Sequence, residues 1–269
     1  MRFFIKTLAS GTVLLVALLA TAALAETKSP PADVLPSSAA MEQLLRMANF
    51  LARLEQFSVR LRSGYDVVQE SGQKIEFGEE REITLARPNR FRVNARTSDG
   101  ETSTVVFDGK MVTVFNATDN RYASSELAGD IDAAIAHFVR DLQMRLPLAL
   151  LFVTTLPKEL EQRLTGAEIV ETATLADQSY LHIAARGDSV DLQVWLPATG
   201  NPLPHRIILT YKHEEGQPQY WANFTDWNLA PNPPASLFAL DIPKEAARIP
   251  FLAQVRPAAA TPTTPGEPQ

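Results

Sequence analysis

Cysteine is missing from the whole 269-residue chain. That excludes disulfides, thiolate zinc sites, iron–sulfur clusters and cysteine nucleophiles. Histidine is scarce as well. The four present, His137, His182, His205 and His213, have no metal-ligand spacing among themselves. Glycine-rich phosphate loops, H-E-x-x-H and G-x-S-x-G are all lacking, and no nucleophile–base pair is recognisable. The sequence therefore assigns no catalytic residue, no metal site and no cofactor, and the chain reads as a non-enzyme. Positive charge is not in excess either. The formal net charge is −6, and an acidic surface repels phosphate backbones, so nucleic acid is not an expected partner.

Long apolar runs are limited to one, Leu8 to Leu19, close behind Arg2 and Lys6 and followed by Ala23-Leu24-Ala25 before Glu26. It is shorter than the ~20 residues that span a bilayer. A charged start, a short apolar stretch and an A-x-A site in that order predict a signal peptide over residues 1–25, cleaved after Ala25, and hence a periplasmic protein. Loss of Arg2 and Lys6 moves the formal charge from −6 to −8. Glu26 stands where an acylated lipoprotein needs cysteine, so no lipid anchor and no stable membrane anchor are expected.

Residues 26–38 are rich in Pro, Ser and Ala, and residues 256–269 in Pro, Ala and Thr. With so little to bury, both are expected to be disordered, leaving a single domain over residues 39–255. Leu44, Leu45, Ala48, Leu51 and Ala52 recur at helical spacing and predict a helix from about Ala39 to Gln56. The period then becomes two. Arg90-Phe91-Arg92-Val93-Asn94-Ala95-Arg96 alternates strictly, as a half-buried strand must. The same signal recurs at Phe57–Gln69, Arg81–Ala86, Thr102–Phe107, Met111–Phe115, Ser179–Ala185, Val190–Leu196, Arg206–His213 and Tyr220–Trp227. Asp108-Gly109 between two strands is a hairpin signal. From Asp130 to Leu164 the pattern is helical again, with Ile131, Ala134, Ile135, Phe138 and Leu142 as its stripe and Pro147 as an interruption before Leu148–Phe152. The fold class is α+β: helix, about five strands, a helical insert and about four more strands, arranged as one curved antiparallel sheet with helices on one face.

Four features are candidates for chemistry. His137 and Asp141, four apart on a helix, would suit a shared metal but are read as a solvated surface pair. Glu79-Glu80-Arg81-Glu82 is read as a charged turn or protected strand edge, not as paired catalytic carboxylates. Trp195, Trp221 and Trp227 would suit a stacked ligand but are read as cross-strand packing. The apolar stretch Leu148–Phe152 is either an ordinary core helix or a lid over an apolar pocket.

Arg87-Pro88-Asn89-Arg90-Phe91, followed by Asp108-Gly109-Lys110-Met111-Val112-Thr113-Val114-Phe115, resembles the R-P-x-x-F and D-G-K-x-(L/V)-x-x-(F/Y) signature of periplasmic lipoprotein carriers, the LolA/LolB-like superfamily. Phe224 to Leu229, then Leu237-Phe238 and Ile242-Pro243, looks like that superfamily's closing strand pair. The chain is most similar to a family of predicted periplasmic proteins of unknown function within it, over most of Ala39 to Phe251. The resemblance implies an incomplete β-barrel with helices on its concave face and a hydrophobic cavity between them. It also implies that Arg87 hydrogen-bonds to the helices and holds the cavity shut; the plainer alternative is that Arg87 ends a strand.

These readings converge on a periplasmic carrier or binder of a lipid, acyl chain or other hydrophobic ligand. The candidate binding residues are Arg87, Phe91, Val93, Phe138, Leu142, Leu151, Phe152, Leu192 and Val194. The alternative is an envelope interaction or sensor module with a collapsed core and no cavity.

Overall fold

The computed structural model describes residues 37–251 except Gln143, Arg145 and Ala176. The expected signal peptide, most of the expected linker and the C-terminal tail lie outside the described residues. Twelve strands form one sheet: β1 (Gln56–Val68), β2 (Lys74–Ala86), β3 (Arg90–Thr97), β4 (Thr102–Phe107), β5 (Met111–Asn116), β6 (Arg121–Glu126), β7 (Leu164–Leu175), β8 (Gln178–Gly187), β9 (Val190–Pro197), β10 (Arg206–Tyr211), β11 (Gln219–Asn228) and β12 (Ala247–Arg248). Their spatial order is β12-β6-β5-β4-β3-β2-β1-β11-β10-β9-β8-β7. Each hydrogen-bonded pair is antiparallel except the two-residue β12, which runs parallel to β6.

This order explains the architecture. Two meanders, β1–β6 and β7–β11, are joined through the β1–β11 pair, so β1 is central while β6 and β7 lie near opposite edges. The sheet curves without closing, giving the expected incomplete barrel. Strict alternation selects its concave face. Phe57, Val59 and Leu61 on β1 are buried, as are Ile83 and Leu85 on β2, Val194 and Leu196 on β9, and Ala222 and Phe224 on β11. Cross-strand register keeps these sets together, pairing Leu61 with Phe224 and Val59 with Ile83. Three helices, α1 (Ser37–Arg53), α2 (Ile131–Ala136) and α3 (Leu156–Arg163), contribute to the same core. In α1, Leu44, Met47, Ala48 and Leu51 are at most 1% exposed. Burial at that level contributes roughly 1.5–3 kcal/mol per large side chain. A smaller cluster, Ala86, Val106 and Phe238, covers part of the opposite face.

The expected hairpin is present. The Asp108 carboxylate accepts from the backbone N–H groups of Lys110 and Met111, each at 2.8 Å, and Gly109 has φ of 94°. A side chain at Gly109 would meet both the left-handed penalty and the Asn89 side chain.

Three strands are not visible in the sequence pattern. β6 is short and polar, and β12 has two residues. β7 is an edge strand whose register slips between Leu164 and Gly166 and again between Ile169 and Glu171, so its burial loses the period of two. The insert also differs from a continuous helical pattern. α2 has six residues, capped by the Asp130 carboxylate on the Ala133 N–H at 2.8 Å, and runs into one π-helical turn at His137–Asp141 and a 3-10 turn at Ala149–Phe152 before α3.

Candidate functional site

Because β6 and β7 lie near opposite ends of the sheet, the chain between them has to cross the open side of the half-barrel. Residues 146–152 make this crossing, and the concave space is divided around them. On the β2–β4 side is a cavity of about 250 Å3, lined by Ile83, Leu85, Phe91, Val93, Val105, Ile131, Phe138 and Phe152. On the β9–β10 side is one of about 430 Å3, lined by Met47, Leu151, Leu156, Leu160, Leu192, Val194, Ile207 and Leu209. A wider vestibule of about 1360 Å3 opens between them, and Leu146 and Pro147 border all three spaces.

The nine candidate residues are therefore divided. Phe91, Val93, Phe138 and Phe152 line the smaller cavity, while Leu151, Leu192 and Val194 line the larger. Leu142 borders neither and is packed in the core at 4% exposure. Arg87 also borders neither cavity. It sits just beyond β2 and fastens the crossing segment. Its Nε donates to the Leu54 carbonyl at the end of α1, and a terminal guanidinium nitrogen donates to the Phe152 carbonyl, both at 2.9 Å. Partial burial lowers the Arg87 pKa, opposed by the charges of Asp132 and Asp130. Asp132 forms a second fastening, accepting from the Thr154 N–H at 2.9 and 3.0 Å and from its hydroxyl at 2.6 Å. Asp132 and Thr154 do not stand out in the sequence. Their 22-residue separation carries no periodic signal, and they meet only because the segment folds back.

The acidic cluster is neither a turn nor a strand edge. Glu79 to Glu82 lies in mid-β2, paired on one side with β1 and on the other with β3. Alternation points Glu79 and Arg81 onto the concave face, where both border the smaller cavity and the vestibule. Arg81 donates through Nε to Glu79 Oε1 and through a terminal nitrogen to Oε2, the latter at 2.9 Å. Burial pushes the Arg81 pKa down, but the hydrogen bond to Glu79 and the Glu79 charge help raise it beyond its ordinary value.

Over residues 40–252 the sequence matches the family described as predicted periplasmic protein (DUF2092). The chain belongs to this family. Among curated proteins, none matches this DUF2092 member by sequence. Several solved structures resemble it. An uncharacterized conserved protein of Thermus thermophilus is 11% identical, with 79% of this chain and 99% of that chain covered and a TM-score of 0.46. Mycobacterium tuberculosis lipoprotein LppX is 13% identical, with 72% and 97% covered and a TM-score of 0.45. A LolA superfamily protein of Nitrosomonas europaea is 12% identical, with 76% and 97% covered and a TM-score of 0.35.

One further reading of the DUF2092 chain changes with the structure and another is matched by it. His137 belongs to the π-helical turn and is 15% exposed at its side chain, not a solvated surface residue. Both ring nitrogens are engaged, one with Asp141 at 2.6 Å and the other with the Ser125 hydroxyl at 3.0 Å, so neither is free to ligate. Among the described residues no group of three or more acidic or histidine side chains could hold a metal ion. The tryptophans pack across strands. Trp195 stacks on His182 at 4.0 Å, the Arg206 guanidinium lies 5.8 Å from the Trp195 ring and 5.3 Å from that of Trp221, and Trp227 packs against Phe57 at 5.5 Å.

Proposed function

We propose that this protein is an exported, non-enzymatic binder or carrier of hydrophobic molecules in the periplasm, with an acyl chain as its ligand class. The observation that carries the reading is the pair of apolar cavities, about 430 and 250 Å3, on either side of residues 146–152. A collapsed interaction module would have no use for such space, because interiors normally close-pack and unfilled apolar volume costs stability. The cavity walls are mostly apolar and offer dispersion contacts and hydrophobic burial, with polar groups such as Glu79 and Arg81 at the smaller cavity and Glu159, Arg163 and Asp188 at the larger, which suits a hydrocarbon chain. Arg87 and Asp132 hold the crossing segment and the residues just after it through backbone groups and one hydroxyl, so a few polar bonds fasten a segment whose side chains wall both cavities. Phe91, Val93, Phe138, Phe152, Leu151, Leu192 and Val194 are the contact residues in this reading, and Arg87 is the fastening.

The test is native mass spectrometry of the protein purified from a bacterial periplasm, together with titration of a headless hydrocarbon fluorophore such as diphenylhexatriene. A retained acyl compound and saturable probe binding are expected. If no apolar compound is retained and the probe stays dark, the interaction-module reading replaces this one.

A further inference from the structure

The concave face carries one polar group that the apolar cavities do not account for. Tyr220 on β11 is 2% exposed, and its hydroxyl finds no hydrogen-bond partner among the described residues. The neighbouring Ser63 hydroxyl makes no hydrogen bond of good geometry with it, and donates at 3.4 Å to the Glu79 carbonyl. An orphaned buried hydroxyl is expensive, by about 1–3 kcal/mol, and so asks for a reason. The register supplies a setting. Tyr220 pairs with Tyr65 across the β11–β1 ladder, and Ser63, two residues earlier, pairs with Glu79 across β1–β2. Tyr220, Ser63, Glu79 and Arg81 thus form a polar row across three adjacent strands. Glu79 and Arg81 border both the smaller cavity and the vestibule, while Tyr220 borders the vestibule. The row lies where a chain filling the cavity would emerge.

Its chemistry is that of a donor site for a neutral group. Arg81 has five N–H donors and commits two nitrogens to Glu79, which leaves further N–H groups, and the Tyr220 hydroxyl adds another. Burial raises the Tyr220 pKa above its ordinary value, against smaller opposing effects of Arg81 and of the nearby Ser63 hydroxyl, so the proton stays available. The Arg81–Glu79 pair is internally neutral. An anion placed beside it would leave a net buried negative charge, which is unfavourable without a further partner. The vestibule sharpens this preference. Its charged lining residues include five acids, Asp66, Glu70, Glu79, Glu214 and Glu215, against the two bases Arg81 and Arg163.

We infer that Arg81 and Tyr220 form the head-group site for an uncharged acyl ester whose tail lies in the adjoining apolar cavity, a deepening that rests on the binding function proposed above. The ester carbonyl accepts from the two side chains without bringing charge, and the acidic vestibule disfavours free carboxylates.

The test compares Tyr220→Phe with the wild type against three probes: monooleoylglycerol, oleate above pH 8, and diphenylhexatriene. Removing an unpartnered hydroxyl should leave the melting temperature unchanged or raise it, so the variant stays folded. In the wild type, monooleoylglycerol should bind more tightly than oleate. In the variant, the ratio of monooleoylglycerol to diphenylhexatriene affinity should fall about three- to tenfold, the worth of one hydrogen bond to a carbonyl. An unchanged ratio removes Tyr220 from the site and overturns the inference while the cavity reading stands. Oleate binding more tightly than the glyceride overturns the neutral head. Failure of diphenylhexatriene to bind the wild type overturns the binding function, and the head-group site falls with it.

Discussion

Arg87 shows how one side chain can control an opening that it does not line. Two of its guanidinium nitrogens hold carbonyls of separate elements, Leu54 after α1 and Phe152 in the crossing segment, so it ties the helix, the end of β2 and the segment together. A leucine there keeps much of the bulk and deletes both bonds. Charged-donor bonds of this kind contribute about 1.5–3 kcal/mol each. If even one is made only in the closed state, deleting it shifts the balance between closed and open segment by roughly ten- to a hundredfold. Arg87→Leu is therefore expected to keep a native circular dichroism spectrum and to release a bound hydrocarbon probe faster than the wild type. Stopped-flow dissociation of diphenylhexatriene measures this, and equal off-rates would leave Arg87 with a structural role alone. The R-P-x-x-F resemblance made Arg87 legible from the sequence because its signal is local. Asp132, its electrostatic neighbour, was not, because an acidic residue in the first turn of a short helix looks like an ordinary favourable dipole contact.

At the scale of the element, the crossing segment carries a short 3-10 turn and not a regular core helix. Leu148 has φ of 66°, a left-handed conformation that bulky residues rarely adopt, and this sharp reversal begins the 3-10 turn at Ala149–Phe152. The turn faces its residues differently. Leu151 is 8% exposed within the core cluster, whereas Leu150 is 39% exposed and borders both the larger cavity and the vestibule. Leu151→Asp should thus cost about 3 kcal/mol or more and lower the melting temperature sharply, since the new carboxylate is buried without a partner. Leu150→Ser should shift stability by only about 0.5 kcal/mol, as a largely exposed substitution does, yet weaken hydrocarbon binding. Paired thermal melts and probe titrations decide this, and equal destabilisation by both changes would mean that the segment is plain core. Apolar content predicted that this stretch matters. Both leucines border the larger cavity; that Leu150 also reaches the exposed vestibule while Leu151 is buried follows from the local backbone turn, which no periodicity encodes. The charged stretch of β2 differs from its sequence expectation for a similar reason. Two-residue alternation continues back through Phe77 and Ile75, but a strand carrying Glu79 and Arg81 on its inward face looks like a terminus until its neighbours on both sides are known.

For the whole molecule, the expected route of export leads to the last prediction. The described residues hold no helix long and apolar enough to cross a membrane, and the family is described as predicted periplasmic. Expression in a bacterial host should give a periplasmic protein whose N-terminal sequencing begins at Glu26; recovery from the cytoplasm with Met1 in place would contradict export. The sequence by itself determined the fold class, the strands with a strict period of two, the helix before them and the apolar character of the insert. Each of these is a local property, since periodicity states which face of an element must be buried. It left three matters to the tertiary structure: that β1 lies at the centre with β6 and β7 near opposite edges, that residues 146–152 therefore span the gap and split the concave space, and that Arg81 and Tyr220, far apart in the chain, come to lie in one row. These depend on which strands pair. Pairing is a choice among non-local contacts of similar hydrophobic gain, settled by how the sheet curves and where the connecting chain can cross.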